Sequence, residues 1–172
     1  KDRLIAEDAP MLRVLGIADA QGRVKPTRRD KYRQVEEFVR LLDATVRDAL
    51  ESGRLRRPTP ADPLRVVDLG CGNGVLGLSL LAKDSEVEVT FIDESHMAVA
   101  SARLNVEHNL PAALPRAHFL VNNCLDDVAV GAADRILCNP PFHQLQAITD
   151  HIAWQMFTDA HRVLPQGGEL WI

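Results

Sequence analysis

The hydrophobic pattern changes character along the chain. Over residues 28–52, apolar side chains recur every three or four positions, which predicts an amphipathic helix that ends near Gly53. Its buried face would carry Tyr32, Val35, Val39, Leu42, Val46 and Leu50, with Phe38 and Leu41 at its margins. Further on, the apolar runs become short and alternate with helical patterns. The pattern therefore predicts a helical segment followed by an α/β domain.

Five short apolar runs in the second part predict buried strands. They lie at residues 64–69, 87–92, 117–121, 136–138 and 169–172. Helices are predicted between them, over about 75–83, 95–109 and 149–163. Short buried strands that alternate with helices are typical of a doubly wound, mostly parallel sheet.

The domain organisation follows from a proline-rich stretch. Residues 58–63 contain three prolines and predict a linker. We expect residues 1–57 to form the helical N-terminal segment and residues 64–172 to form the α/β domain.

Composition limits the class of protein. The 172 residues are 46% hydrophobic and 26% charged, which is typical of a globular domain without a membrane span. The three cysteines, Cys71, Cys124 and Cys138, show no Cys-x-x-Cys spacing, which argues against a disulfide framework or a zinc site. With no signal-peptide core at the start, these features favour a cytoplasmic protein that holds no metal.

The charge is unevenly distributed. Residues 25–57 contain ten Lys and Arg against six Asp and Glu, whereas residues 58–172 contain six against fourteen. The basic segment could contact RNA phosphates, or it could be a solvated helix face. We expect weak, salt-sensitive RNA affinity that involves Arg54, Arg56 and Arg57.

A glycine turn follows the first predicted strand. Gly70, Gly72 and Gly74 alternate with Cys71 and Asn73, and Asp68 lies just before them. Glycines at a strand end let a ligand approach the backbone closely. This spacing differs from the Gly-x-Gly-x-x-Gly of dinucleotide sites, and the acidic residue favours a sulfonium or ammonium cofactor. The alternative is a turn that serves only packing.

Two further strand ends carry polar side chains. Asp93 ends the second strand, beside Glu94, and its carboxylate could accept both hydroxyls of a ribose. The alternative is that Asp93 or Ser95 merely caps the next helix. After the third strand, the amide of Asn123 could meet an adenine edge, or the Asn pair there could form a turn.

The fourth strand leads into Asn139-Pro140-Pro141-Phe142. The prolines end the strand and restrict the backbone, so the Asn139 amide and the Pro140 carbonyl become two directed acceptors beside an aromatic ring. Such an arrangement suits a planar group that bears an amine. The alternative is a plain strand-ending turn.

Asp68–Gly74 resembles the first motif of class I S-adenosylmethionine-dependent methyltransferases, and Asn139–Phe142 resembles the motif of those that methylate exocyclic amines or amides. From about residue 66 to 172, the chain is similar to bacterial ribosomal RNA guanine-N2 methyltransferases, the large-subunit branch above all. The match includes Asp93–Asn105 and Cys138–Gln144. It implies a Rossmann-like fold, of which the last two strands would be missing here.

The resemblance also implies roles for individual residues. Asp68 and the glycine turn would hold the methionine part of the cofactor, Asp93 would bind the ribose, and Asn123 and Leu125 would face the adenine. The candidate cofactor-binding residues are Asp68, Gly70, Cys71, Gly72, Gly74, Asp93, Glu94, Asn123 and Leu125. Asn139 and Pro140 would accept hydrogen bonds from the guanine amine, and Phe142 would stack on the base. Other possibilities are an adenine amine, a protein glutamine amide, or a cofactor-binding module without catalytic activity.

Overall fold

The computed structural model describes residues 5–138 and 150–172. Five α-helices occur in this part of the chain: α1 (Pro10–Val14), α2 (Arg29–Glu51), α3 (Val75–Lys83), α4 (His96–Asn109) and α5 (Asp150–Val163). Five strands alternate with them: β1 (Leu64–Leu69), β2 (Val87–Asp93), β3 (Ala117–Val121), β4 (Arg135–Cys138) and β5 (Glu169–Trp171). Short 3-10 helices form at Pro26–Arg28 and Pro111–Arg116.

The strands form one parallel sheet in the order β3-β2-β1-β4-β5. The chain builds outward from β1 to β3 and then returns to the other side of β1 for β4 and β5. This reversal confirms the predicted doubly wound, Rossmann-like sheet. Ligands of such sheets bind beyond the carboxyl ends of the strands where the order reverses, which here is the edge formed by Leu69 and Cys138.

Hydrophobic clusters cover both faces of the sheet. The first contains Val66, Val89 and Phe91 of the sheet, packed with α3, α4 and the N-terminal helices. The second contains Val67 and Ile136, packed with Ala160 and Val163 of α5 and with Leu125. Residues from α2 and the sheet thus share one core, and the division into segment, linker and domain stays a prediction.

The predicted helix at 28–52 forms as α2, but its buried side differs in detail. Tyr32, Val35, Val39 and Leu42 are buried as expected, whereas Leu41 is 49% exposed. Glu36 is buried in their company, because its carboxylate accepts a hydrogen bond from the Ile5 amide at 2.9 Å. Ile5 therefore lies against the first turns of α2.

No helix within residues 5–138 and 150–172 is long and apolar enough to cross a membrane. The same residues contain no group of three or more His, Cys, Asp or Glu side chains that could hold a metal ion.

Candidate functional site

The glycine turn is fixed to the neighbouring strand by its backbone. The amides of Gly70 and Cys71 both donate to the Ile92 carbonyl of β2, at 2.8 and 3.0 Å, and the Gly74 amide donates back to the Cys71 carbonyl at 2.8 Å. Gly70, Gly72 and Gly74 have φ angles of +68°, +53° and +80°, which residues other than glycine rarely adopt. The predicted turn is therefore present as a tight, left-handed loop between β1 and α3.

These glycines serve two different purposes. A Cβ atom built on Gly70 or Gly72 would meet no heavy atom within 4 Å among the described residues, so this part of the chain leaves the space beside them open. A Cβ on Gly74 would lie 3.0 Å from the Cβ of Ala102 on α4, and one on Gly77 would lie 2.9 Å from Val89. Gly74 and Gly77 thus allow close packing, whereas Gly70 and Gly72 leave a cradle of backbone open at the sheet edge.

Asp93 joins the cradle to the second strand end. Its Oδ2 accepts a hydrogen bond from the Gly72 amide at 3.0 Å, and its Oδ1 accepts one from the Ser95 amide at 2.9 Å. The cap of α4 is Ser95, whose hydroxyl accepts from the Ala98 amide. Because each carboxylate oxygen has a second lone pair, Asp93 can still accept the hydroxyls of a ribose.

Asp68 lies beneath the cradle with 2% of its surface exposed. Its Oδ2 accepts a hydrogen bond from the Gly77 amide at 3.0 Å. Burial raises the pKa of the Asp68 carboxyl to about 7, and the charge of Asp93 adds to this, against the opposing effect of the Gly77 hydrogen bond. A carboxyl at this position is therefore partly protonated near neutral pH.

The cysteines at this edge are poor nucleophiles. Burial, reinforced by Asp68 and Asp93, raises the pKa of the Cys71 thiol to about 12. Burial followed by the charge of Asp68 raises the pKa of Cys138 to about 11. Because the thiolate is the reactive form, both side chains are inert packing groups at neutral pH.

The remaining candidates are arranged differently. Glu94 and Asn123 are exposed, and the Asn123 carbonyl accepts a hydrogen bond from the Asp126 amide at 3.3 Å, so the Asn pair leads into a turn. Leu125 is fully buried in the second hydrophobic cluster. The contacts of Asn123 and Leu125 with an adenine stay predictions.

The candidate catalytic residues Asn139, Pro140 and Phe142 lie outside the described residues. The strand that leads to them is described, however. Cys138 is paired in register with Leu69, the residue before the glycine turn. The two predicted halves of the site therefore follow adjacent strand ends.

Two supporting residues could not be recognised from the sequence. Asn105 of α4 is 9% exposed and donates from its amide to the Asn73 carbonyl at 2.8 Å, which fixes the tip of the glycine turn. Arg162 of α5 donates to the carbonyls of Leu125 and Val128, at 2.9 and 2.7 Å, which fixes the loop after β3. Their partners lie more than thirty residues away, so helical patterns alone give no signal for them.

Residues 55–172 match the family described as the methyltransferase small domain. The chain belongs to this family. It is also 93% identical over 108 residues to ribosomal RNA large subunit methyltransferase G of Aeromonas salmonicida, and 58% identical over 113 residues to the protein of that name from Colwellia psychrerythraea. These matches cover 63% and 66% of this chain and 29% of each relative, so the chain spans less than a third of their length.

Solved structures agree on the fold. TrmN from Thermus thermophilus is similar with a TM-score of 0.53 and 28% identity, over 63% of this chain and 32% of that one. An arsenic(III) S-adenosylmethionine methyltransferase from Chlamydomonas reinhardtii has a TM-score of 0.52 at 22% identity, over 62% and 37% of the two chains. The predictions of a methyltransferase domain and a class I, Rossmann-like fold are confirmed. The family also supports S-adenosylmethionine as the cofactor, and the open glycine cradle beside Asp93 fits it.

Proposed function

We propose that this domain transfers a methyl group from S-adenosylmethionine to the exocyclic amine of a guanine in ribosomal RNA. The open cradle at Gly70 and Gly72, which follows Asp68 in the chain and is hydrogen-bonded to Asp93, carries the proposal. Such a site suits a cationic cofactor with a ribose and disfavours a pyrophosphate. The relatives named ribosomal RNA large subunit methyltransferase G support the RNA substrate.

The chain's own residues would act mainly by orientation. The backbone of Gly70–Gly74 would approach the cofactor closely, and Asp93 would accept hydrogen bonds from its ribose. Bound S-adenosylmethionine would supply an electrophilic methyl group. Asn139 and the Pro140 carbonyl would accept hydrogen bonds from the guanine amine, which directs its lone pair and stabilises the charge that develops on nitrogen. Phe142 would stack on a base that has been flipped out of its helix.

The Asn139→Ala substitution tests these roles. It removes an acceptor for the amine and leaves the cradle intact, so we expect methyl transfer to fall roughly a hundredfold or more. Cofactor affinity should stay within about threefold of the original. The rate would be measured by mass spectrometry of nucleosides from unmodified ribosomal RNA, and the affinity by calorimetry.

The Asp93→Asn variant is the matched comparison, because it should weaken cofactor binding first. Equal losses of binding and transfer in Asn139→Ala would contradict the assigned roles. Methylated adenosine or a methylated protein glutamine, in place of methylated guanosine, would contradict the proposed substrate. We place the reaction in the cytoplasm, in keeping with the reduced cysteines.

A further inference from the structure

The cofactor edge of the sheet is acidic and lacks compensating cations in the described part of the chain. Neither Asp68 nor Asp93 forms an ion pair with a residue in the described ranges. The charge that acts on Asp68 is that of Asp93, and the charges that act on Cys71 are those of the same two carboxyl groups. The cradle is therefore a place where a positive charge on a ligand is strongly favoured.

Asp68 is the buried carboxyl group at this edge. Its Oδ2 accepts the Gly77 amide at the start of α3, and no hydrogen bond joins its Oδ1 to a described residue. The side chain is 98% removed from solvent, so ionisation without a nearby cation carries a large desolvation cost. A cationic ligand in the adjoining cradle would offset this cost.

We propose that Asp68 couples cofactor binding to proton release: its buried carboxyl group is protonated in the free protein and ionises when the cationic end of the cofactor binds. The proton goes to solvent, and no other bond changes. This inference rests on the proposed function, because it takes S-adenosylmethionine as the ligand. It means that Asp68 makes the site select a positively charged ligand over a neutral one, in addition to lining the binding site.

The direction of the pH dependence follows from linkage. A free-state pKa of about 7 for Asp68, lowered by the bound cation, means that the complex holds fewer protons than the free protein. Affinity should therefore rise with pH and level off above about pH 8. At pH 6, one unit below the free-state pKa, it should be about tenfold weaker than at the plateau.

Calorimetry in two buffers of different ionisation enthalpy measures the proton directly. At pH 6.5 we expect binding of S-adenosylmethionine to release roughly 0.7 of a proton. 5′-Methylthioadenosine is the matched ligand, since it keeps the adenine and ribose but lacks both the sulfonium and the amino acid. It should bind with almost no proton release.

Three variants locate the proton. Asp68→Asn should bind without proton release and with an affinity that is flat from pH 6 to 8. Asp93→Asn should still release a proton, but over a lower pH range, because the charge that raises the Asp68 pKa is gone. His96→Gln, at an exposed position at the start of α4, is the control and should keep the proton release.

If Asp68→Asn does not fold, carbon-13 NMR of the aspartate carboxyl groups can follow the protonation of Asp68 in the unmodified protein. The Asp68 resonance should titrate near pH 7 in the free protein and at lower pH with the cofactor bound. Equal proton release with both ligands, release that persists in Asp68→Asn, or an unchanged Asp68 titration would overturn the inference. Absence of any S-adenosylmethionine binding would overturn the proposed function as well, whereas binding without proton release would overturn the inference alone.

Discussion

Single glycines show how backbone geometry separates folding from ligand binding. Gly77 lies in α3 against the sheet, where a Cβ would overlap the Phe91 ring and lie 2.9 Å from Val89. Gly70 has a left-handed backbone, but none of the described residues would lie within 4 Å of a Cβ there. Although both residues belong to one glycine-rich stretch, substitution should affect different properties of the protein.

We expect Gly77→Ala to lower the free energy of unfolding by about 1–3 kcal/mol, because the methyl group overpacks the core. Gly70→Ala should lower it by only about 1–2 kcal/mol through backbone strain, yet weaken cofactor binding by tenfold or more. Urea denaturation and calorimetry on both variants check this. A Gly70→Ala variant with full cofactor affinity would contradict the cradle.

Asp68 should also make stability depend on pH. Its pKa rises from 3.8 to about 7 on folding, so the neutral form is favoured in the folded protein. The stability associated with this form is fully present below about pH 4 and is lost as pH rises through 7, by about 4 kcal/mol at most.

Urea denaturation of the cofactor-free protein at pH 5 and pH 8 measures this loss. Asp68→Asn should remove most of the difference between the two pH values. Asp30→Asn is the control, because the Asp30 side chain is 99% exposed on α2 and has almost no burial to reverse. A difference that stays the same in Asp68→Asn would exclude Asp68 as its source.

At the scale of elements, the sequence predicts the bounds of those helices and strands that are flanked by turn-forming residues. The bounds of β1, α3 and β3 agree with the structure residue for residue, because turn-forming residues such as Pro63, Gly74, Asp84 and Asn122 lie next to them. The burial of Arg135 at the start of β4 was not predictable, since it depends on Glu169, whose Oε2 lies 3.6 Å from the Arg135 Nε. The same distinction holds for the site. Its glycines and Asp93 could be predicted because they lie at strand ends, whereas the contacts of Asn105 and Arg162 join residues that are far apart in the sequence and could not be predicted.

Helix α5 and the loop after β3 form a unit through Arg162. The hydrogen bonds from its guanidinium to the Leu125 and Val128 carbonyls join α5 to the loop that carries Asn123 and Leu125, the residues proposed to face the adenine. We expect Arg162→Ala to lower the free energy of unfolding by about 1.5–3 kcal/mol and to speed amide hydrogen exchange over residues 122–128. Arg33→Ala, on the exposed side of α2, is the control and should leave that loop protected. Unchanged exchange in Arg162→Ala would show that the loop does not depend on this contact.

At the scale of the whole molecule, much of the basic N-terminal charge is used within the fold. Arg54 pairs with Asp48 and Glu169, and Arg56 pairs with Asp134 at 3.2 Å. Lys83 of α3 likewise pairs with Asp43 of α2. These pairs hold the N-terminal segment against β4, β5 and α3, so charge reversal at Arg54 or Arg56 would disturb the fold together with any RNA contact.

A sharper test of RNA contact uses basic residues that form no ion pair within the described ranges. Lys25 and Arg28 are exposed before α2, and Arg57 is exposed after it. The 23 residues of α2 separate them by roughly 35 Å, so RNA that contacts both ends would follow the helix.

We expect simultaneous charge reversal of Lys25, Arg28 and Arg57 to weaken RNA binding and to reduce the slope of log affinity against log salt by roughly 2, because three phosphate contacts are lost. Fluorescence anisotropy at several salt concentrations measures the slope, and calorimetry should show unchanged cofactor affinity. An unchanged slope would mean that this segment is a solvated helix face and that RNA binds elsewhere.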